Sequence, residues 1–153
     1  MNKVAEQFKR VERWYKLLEK VSTDIVHNQD SNYYEDIVYA FFQNCWHLKD
    51  WIINSKTLDT KIVHDFIHSS KDLEICRDLA NGSKHLVINK PSVSSDIKIN
   101  KREYSLTIGR GDPEIKVIYW IEGIPGVDAF SLATNCYAQW KVFLINHGVL
   151  LVD

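Results

Sequence analysis

No sign of charge dominates this chain: Lys and Arg number 19 against 20 Asp and Glu, a formal net charge of −1. That balance excludes a global basic field that would draw the protein to nucleic acid or to a membrane surface. No apolar run approaches the ~18 residues of a membrane span. The opening stretch MNKVAEQFKRVERW has no apolar segment of the signal-peptide kind, so a cytoplasmic location is expected. Outside a secretory route the Asn81-Gly82-Ser83 sequon carries no meaning. Cysteine is scarce, three residues with no CxxC or other ligand spacing, and reduced thiols are expected. There is no Gly-rich loop to cradle a phosphate, no GxSxG, and no cysteine placed beside a histidine as a nucleophile. Repeats, low-complexity segments and long linkers are missing too. The remainder is a chain of 153 residues, 45% of them hydrophobic, enough for one domain over residues 1–153 with its own core.

What is present is helical periodicity. Val4, Phe8, Val11, Tyr15, Leu18 and Ile25 repeat at three to four residues, predicting a first helix over 4–28. Asn32 with Glu35 has the form of a capping box and predicts a second helix over 33–54. That helix is apolar around most of its circumference: Tyr34, Val38, Phe41, Cys45, Leu48 and Ile52 share one face. Asp36, Gln43, His47, Asp50 and Asn54 form a narrow polar stripe opposite. A short third helix is expected over 58–68. A fourth follows Ser69-Ser70 and runs at least to Ala80, with Leu73, Cys76, Leu79 and Ala80 inward.

The period then changes. After the loop KPSVSSD, the segments REYSLTIG and EIKVIYWIE alternate around GRGDPE, the pattern of a β-hairpin over about 97–122. Its Arg-Gly-Asp is read as turn chemistry. A last helix is expected over 127–147, with Ala129, Leu132, Ala133, Cys136, Trp140 and Phe143 inward and Gly148 ending it. The predicted fold class is mainly α, an antiparallel four- or five-helix bundle with a β-hairpin inserted before the C-terminal helix. Cys45, Cys76 and Cys136 each fall on the apolar face of a different helix. They read as buried core thiols rather than a metal site.

Two polar constellations could carry chemistry. If the fourth helix continues through Gly82, Arg77, Asn81 and Lys84 line up along one strip with His85 beside them. Arg would stabilise phosphoryl charge, and His would move a proton near neutral pH. The competing reading is a helix end, where Asn-Gly breaks the turn and Lys and His complement the dipole. On the second helix, His47 and Asp50 lie at i and i+3, so the carboxylate can orient the imidazole. The competing reading there is a solvent stripe. Phe41, Phe42, Trp46 and Trp51 flank it, as they would a groove. If the two strips face each other, His47, Asp50, Arg77, Asn81, Lys84 and His85 make one pocket.

An Arg followed by a polar residue and, a few residues on, a His within a small helical bundle resembles the HEPN superfamily of bacterial toxin, defence and nucleotide-linked proteins. The resemblance rests on Arg77, Asp78 and His85 in CRDLANGSKHL. It implies a metal-independent ribonuclease of a defence or toxin system, with Arg77 and His85 catalytic and two motifs meeting across a homodimer. RNA and an antitoxin or other protein are the partners it implies, and no cofactor. Seven residues lie between Arg77 and His85, one more than the motif has. On a continuous helix the two would lie about 12 Å apart, so convergence needs a bend at Gly82. The alternative from the residues alone is a non-catalytic binding or interaction module with a polar groove, in which His47, Asp50, Asn81 and Lys84 bind.

Three lesser features complete the pattern. His64 and His68 have the i, i+4 spacing of helical metal ligands but lack HExxH, and read as the edge of a buried face. Lys84, Lys90, Lys98, Lys101 and Arg102 face only Asp96 over residues 84–102, a local basic segment able to touch RNA. Tyr104, Tyr119 and Trp120 would offer stacking faces on the hairpin.

Overall fold

A computed structural model of the chain describes residues 2–23, 31–84, 98–107 and 114–151. The protein is mainly helical. Its elements are α1 (Lys3–Thr23), α2 (Ser31–Asn54), α3 (Thr60–His68), α4 (Lys71–Lys84), β1 (Lys98–Thr107), β2 (Glu114–Glu122) and α5 (Ala129–Asn146). None of the described helices is long and apolar enough to cross a membrane.

The helix starts follow from side chains that satisfy the first free N–H groups. Asn2 Oδ1 accepts from Val4 N at 2.9 Å. Asp59 accepts from Lys61 N at 2.8 Å, placing the start of α3 two residues later than its apolar pattern suggests. Ser70 Oγ accepts from Leu73 N at 3.2 Å, and Asp128 accepts from Ser131 N at 2.9 Å. In α2 the sequence signal misleads. The helix already includes Ser31, so Asn32 lies inside it rather than ahead of it. The expected extension of α1 to residue 28, with Ile25, lies outside the described residues.

Two helices end alike. Gly148, at φ +68°, donates to Ile145 O, and Val149 N reaches back to Leu144 O at 2.8 Å. Lys56, at φ +55°, donates to Ile53 O, and Thr57 N reaches Ile52 O at 3.2 Å. Both are left-handed caps with the six-to-one bond that satisfies free carbonyls.

Helix α2 is the centre of the molecule and touches α1, α3, α4 and α5. Val38, Phe41, Cys45, Leu48 and Ile52 of its expected inner face are fully buried, as is Phe42, while Tyr34 is partly buried. Burying a large apolar side chain contributes roughly 1.5–3 kcal/mol, so this helix anchors the core. The α1–α2 seam also holds a buried Gln7. Its Nε2 donates to Asn44 O at 3.1 Å, and its Oε1 accepts from Arg10 at 2.6 Å. Along α1–α5, Tyr15 stacks on Tyr137 at 4.7 Å, and Tyr137 donates to Glu12 at 3.0 Å.

Strands β1 and β2 pair antiparallel from Lys98 opposite Glu122 to Thr107 opposite Glu114, with a register shift between Ile99 and Lys101. β1 begins four residues before the expected REYSLTIG segment. The loop KPSVSSD and the Arg-Gly-Asp stretch lie outside the described residues. Ile99, Tyr119 and Ile121 are buried in the core, and Ile99 N donates to Tyr39 Oη of α2 at 3.2 Å. Tyr119 is only 3% exposed, so it packs the core and is not a stacking face.

Candidate functional site

The polar stripe of α2 does meet α4. Gln43, Trp46, His47 and Asp50 of α2 and Ala80 and Asn81 of α4 line one cleft of about 320 Å3. Helical geometry explains the set. Gln43, His47 and Asp50 recur at four and three residues on α2, opposite the buried Cys45–Ile52 face. The Cβ of Ala80 lets α4 approach α2 closely, and Asn81, the next residue, is half-buried at the rim. The cleft therefore holds an imidazole, a carboxylate and two amides. Together they can donate and accept hydrogen bonds in several directions. Asp50 is held by Lys49 at 2.8 Å, which fixes its carboxylate at the cleft edge.

Arg77 goes elsewhere. It lines a second cleft of about 240 Å3 with Trp46 and Lys49 of α2 and His64, Ile67 and His68 of α3. Trp46 is the wall common to both clefts. The Lys49 ammonium lies over the Trp46 ring, 4.7 Å from its centroid, a cation–π contact. The single pocket expected from facing strips is thus two adjacent clefts. His47, Asp50 and Asn81 share one, and Arg77 borders the other.

Helix α4 remains helical from Lys71 through Lys84. Asn81-Gly82 therefore does not end the helix. Lys84 is its last residue, but its side chain and all of His85 lie outside the described residues. Asp78, the polar neighbour of Arg77, is fully buried.

Sequence reasoning read His64 and His68 as the edge of a buried face and missed their company with Arg77. Each follows a buried residue of α3, Val63 and Ile67, so both imidazoles flank the apolar stripe on the same side. That offset was the available signal. What it does not carry is the rotation of α3 that turns this side towards α4. Among the described residues, no group of three or more His, Cys, Asp and Glu side chains is disposed to hold a metal ion.

The three thiols of Cys45, Cys76 and Cys136 are buried and free. Cys76 Sγ donates to Phe42 O at 3.6 Å and Cys136 Sγ to Asp72 O at 3.4 Å. Burial pushes Cys76 and Cys136 well above the ordinary thiol range. The neighbouring thiols of Cys136 and Cys76 draw Cys45 below that range. The cluster joins α2, α4 and α5 at the heart of the core, away from both clefts.

No protein family, curated protein or solved structure matches this chain.

Proposed function

We propose that this chain is a binding module that works through the α2–α4 cleft, taking a small polar ligand or a polar segment of a partner. One observation carries this reading: His47, Asp50 and Asn81, on two helices far apart in sequence, line one cleft beside a tryptophan. Donors, acceptors and an aromatic wall in one concave site are the usual equipment of ligand recognition. The scaffold fits that role as an antiparallel bundle with the β1–β2 hairpin inserted before α5, acting in the cytoplasm.

A second reading is the metal-independent ribonuclease that the HEPN resemblance implies, with Arg77 and His85 meeting across a homodimer and an antitoxin or sensor as partner. What favours it is that Arg77 borders a cleft with two imidazoles, where a guanidinium can stabilise phosphoryl charge.

RNA cleavage by the purified chain separates the two. The binding module predicts no cleavage, together with protection from thermal unfolding by one member of a panel of phosphate-free polar ligands: amino acids, sugars and short polar peptides. Cleavage abolished by Arg77→Ala and by His85→Ala, made separately, would establish the ribonuclease. Cleavage surviving both would remove the catalytic assignment.

A further inference from the structure

We infer that the cleft between α2, α3 and α4 is a binding site for a small phosphate-bearing anion, distinct from the α2–α4 cleft on the other side of Trp46. Four nitrogen-bearing side chains converge on it from three helices: Lys49, His64, His68 and Arg77. Among the described residues no carboxylate lines it. Two acids hold its edges, Asp50 on Lys49 at 2.8 Å and Glu74 on His68 Nδ1 at 3.4 Å. Among the described residues the ring nitrogens of His64 make no hydrogen bond, and its ring meets His68 edge-on at 6.4 Å. Such a set of donors suits an anion with several oxygens.

Size and wall chemistry narrow the class. About 240 Å3 falls below the roughly 300–1,000 Å3 of sites for drug-sized ligands. A monocarboxylate offers two oxygens to four donor groups. A phosphate offers three or more and carries the higher charge. The guanidinium fork matches phosphate oxygens in pairs, while Lys acts as a point charge. Lys49 is prepositioned, its stem packed so that only 21% of the side chain is exposed and its head held over Trp46. The buried Ile67 and the indole of Trp46 add an apolar side against which the body of a phosphate ester can rest.

The inference does not depend on the reading of the α2–α4 cleft, and its test keeps the two apart. The whole chain is titrated by calorimetry with inorganic phosphate, adenosine 5′-monophosphate and adenosine. The Trp46 indole and the His64 and His68 ring signals are followed by NMR. Phosphate and the monophosphate should bind and move all three sets of signals, whereas adenosine should not. Tighter binding of the monophosphate than of phosphate identifies an ester as the ligand, and equal binding identifies the free anion. Arg77→Gln should weaken binding at least tenfold, and Arg77→Lys should restore only part of it. His47→Ala and Asn81→Ala should leave it unchanged. Should Arg77→Gln fail to fold, His64→Ala serves, with a severalfold loss expected. Adenosine binding as well as its monophosphate, no response to either phosphate probe, or unchanged affinity in both Arg77→Gln and His64→Ala would overturn the site.

Discussion

One phenol joins the helices to the sheet. Tyr39 Oη accepts the Ile99 N–H at 3.2 Å, the contact that ties the start of β1 to α2. Burial pushes the Tyr39 phenol up, the bond from Ile99 opposes this, and Glu35 adds to the rise. Since the folded value is raised, the folded state holds the proton more tightly. Its contribution is complete below pH ~10, the unfolded value, and is lost as pH rises through the folded value. Tyr39→Phe leaves the Ile99 N–H without its acceptor and should cost about 1–2 kcal/mol in urea unfolding at neutral pH. The variant should also lose less stability than wild type above pH 10. A cost below about 0.3 kcal/mol would mean that the contact does not secure the strand.

The thiols give a second residue-scale expectation. Reactivity needs both thiolate and access, and Cys45, Cys76 and Cys136 are all 0% exposed. A disulfide reagent should titrate none of them at pH 8 in the native protein and three in urea. Rapid native labelling of Cys45 alone would show that its lowered value, not its burial, governs its chemistry.

At the scale of elements, α2 and α5 close with the same hydrogen-bond pattern on different residues. Gly148 adopts its positive φ freely, whereas Lys56 adopts one at a cost of roughly 1–2 kcal/mol for an L-residue. Lys56→Gly removes that strain and raises unfolded-state entropy, so a net gain of about 0.5–1 kcal/mol is expected. Gly148→Ala should cost about 1 kcal/mol. A Cβ there would meet nothing within 4 Å, so the cost is one of backbone conformation alone. Denaturant midpoints of the two variants check both signs, and a stability loss in Lys56→Gly would refute the assignment of strain.

The same pair of caps shows what sequence conveys. Gly148 carries recognisable chemistry, and the bounds of α5 could be read to within two residues. Lys56 announces nothing, because only its backbone departs from the ordinary. Asn32 with Glu35 had the right residue types, yet the helix already includes Ser31. The inner faces of α2 and α4 were legible because each is a local repeat. His47, Asp50 and Asn81 were likewise legible as a group, since two polar stripes on neighbouring helices need only face one another. The separation of Arg77 from them was not. It depends on how Trp46 fills the space between α2, α3 and α4, a tertiary fact with no local signature.

On the scale of the whole molecule, the core and the two clefts are built from opposite sides of one helix. Residues such as Phe41, Cys45 and Ile52 fasten α2 to its neighbours, which frees Gln43, Trp46, His47, Lys49 and Asp50 to shape the surface. Rigidity on one side preorganises the other, and a preorganised site spends less of its binding energy on ordering side chains. Changes at the cleft should therefore alter binding without altering folding. Asn81→Ala in particular removes a half-buried side chain at a rim, where a stability change within about 0.5 kcal/mol is expected.

The most direct test is the thermal midpoint of wild type and Asn81→Ala, each with and without the phosphate-free ligand that stabilises wild type. Ligand at a hundred times its Kd stabilises by about 2.7 kcal/mol, roughly 5–10 °C for a chain of this size. That rise is expected in wild type, with its loss in Asn81→Ala and nearly equal midpoints without ligand. An undiminished rise in Asn81→Ala would contradict the assignment of binding to the α2–α4 cleft.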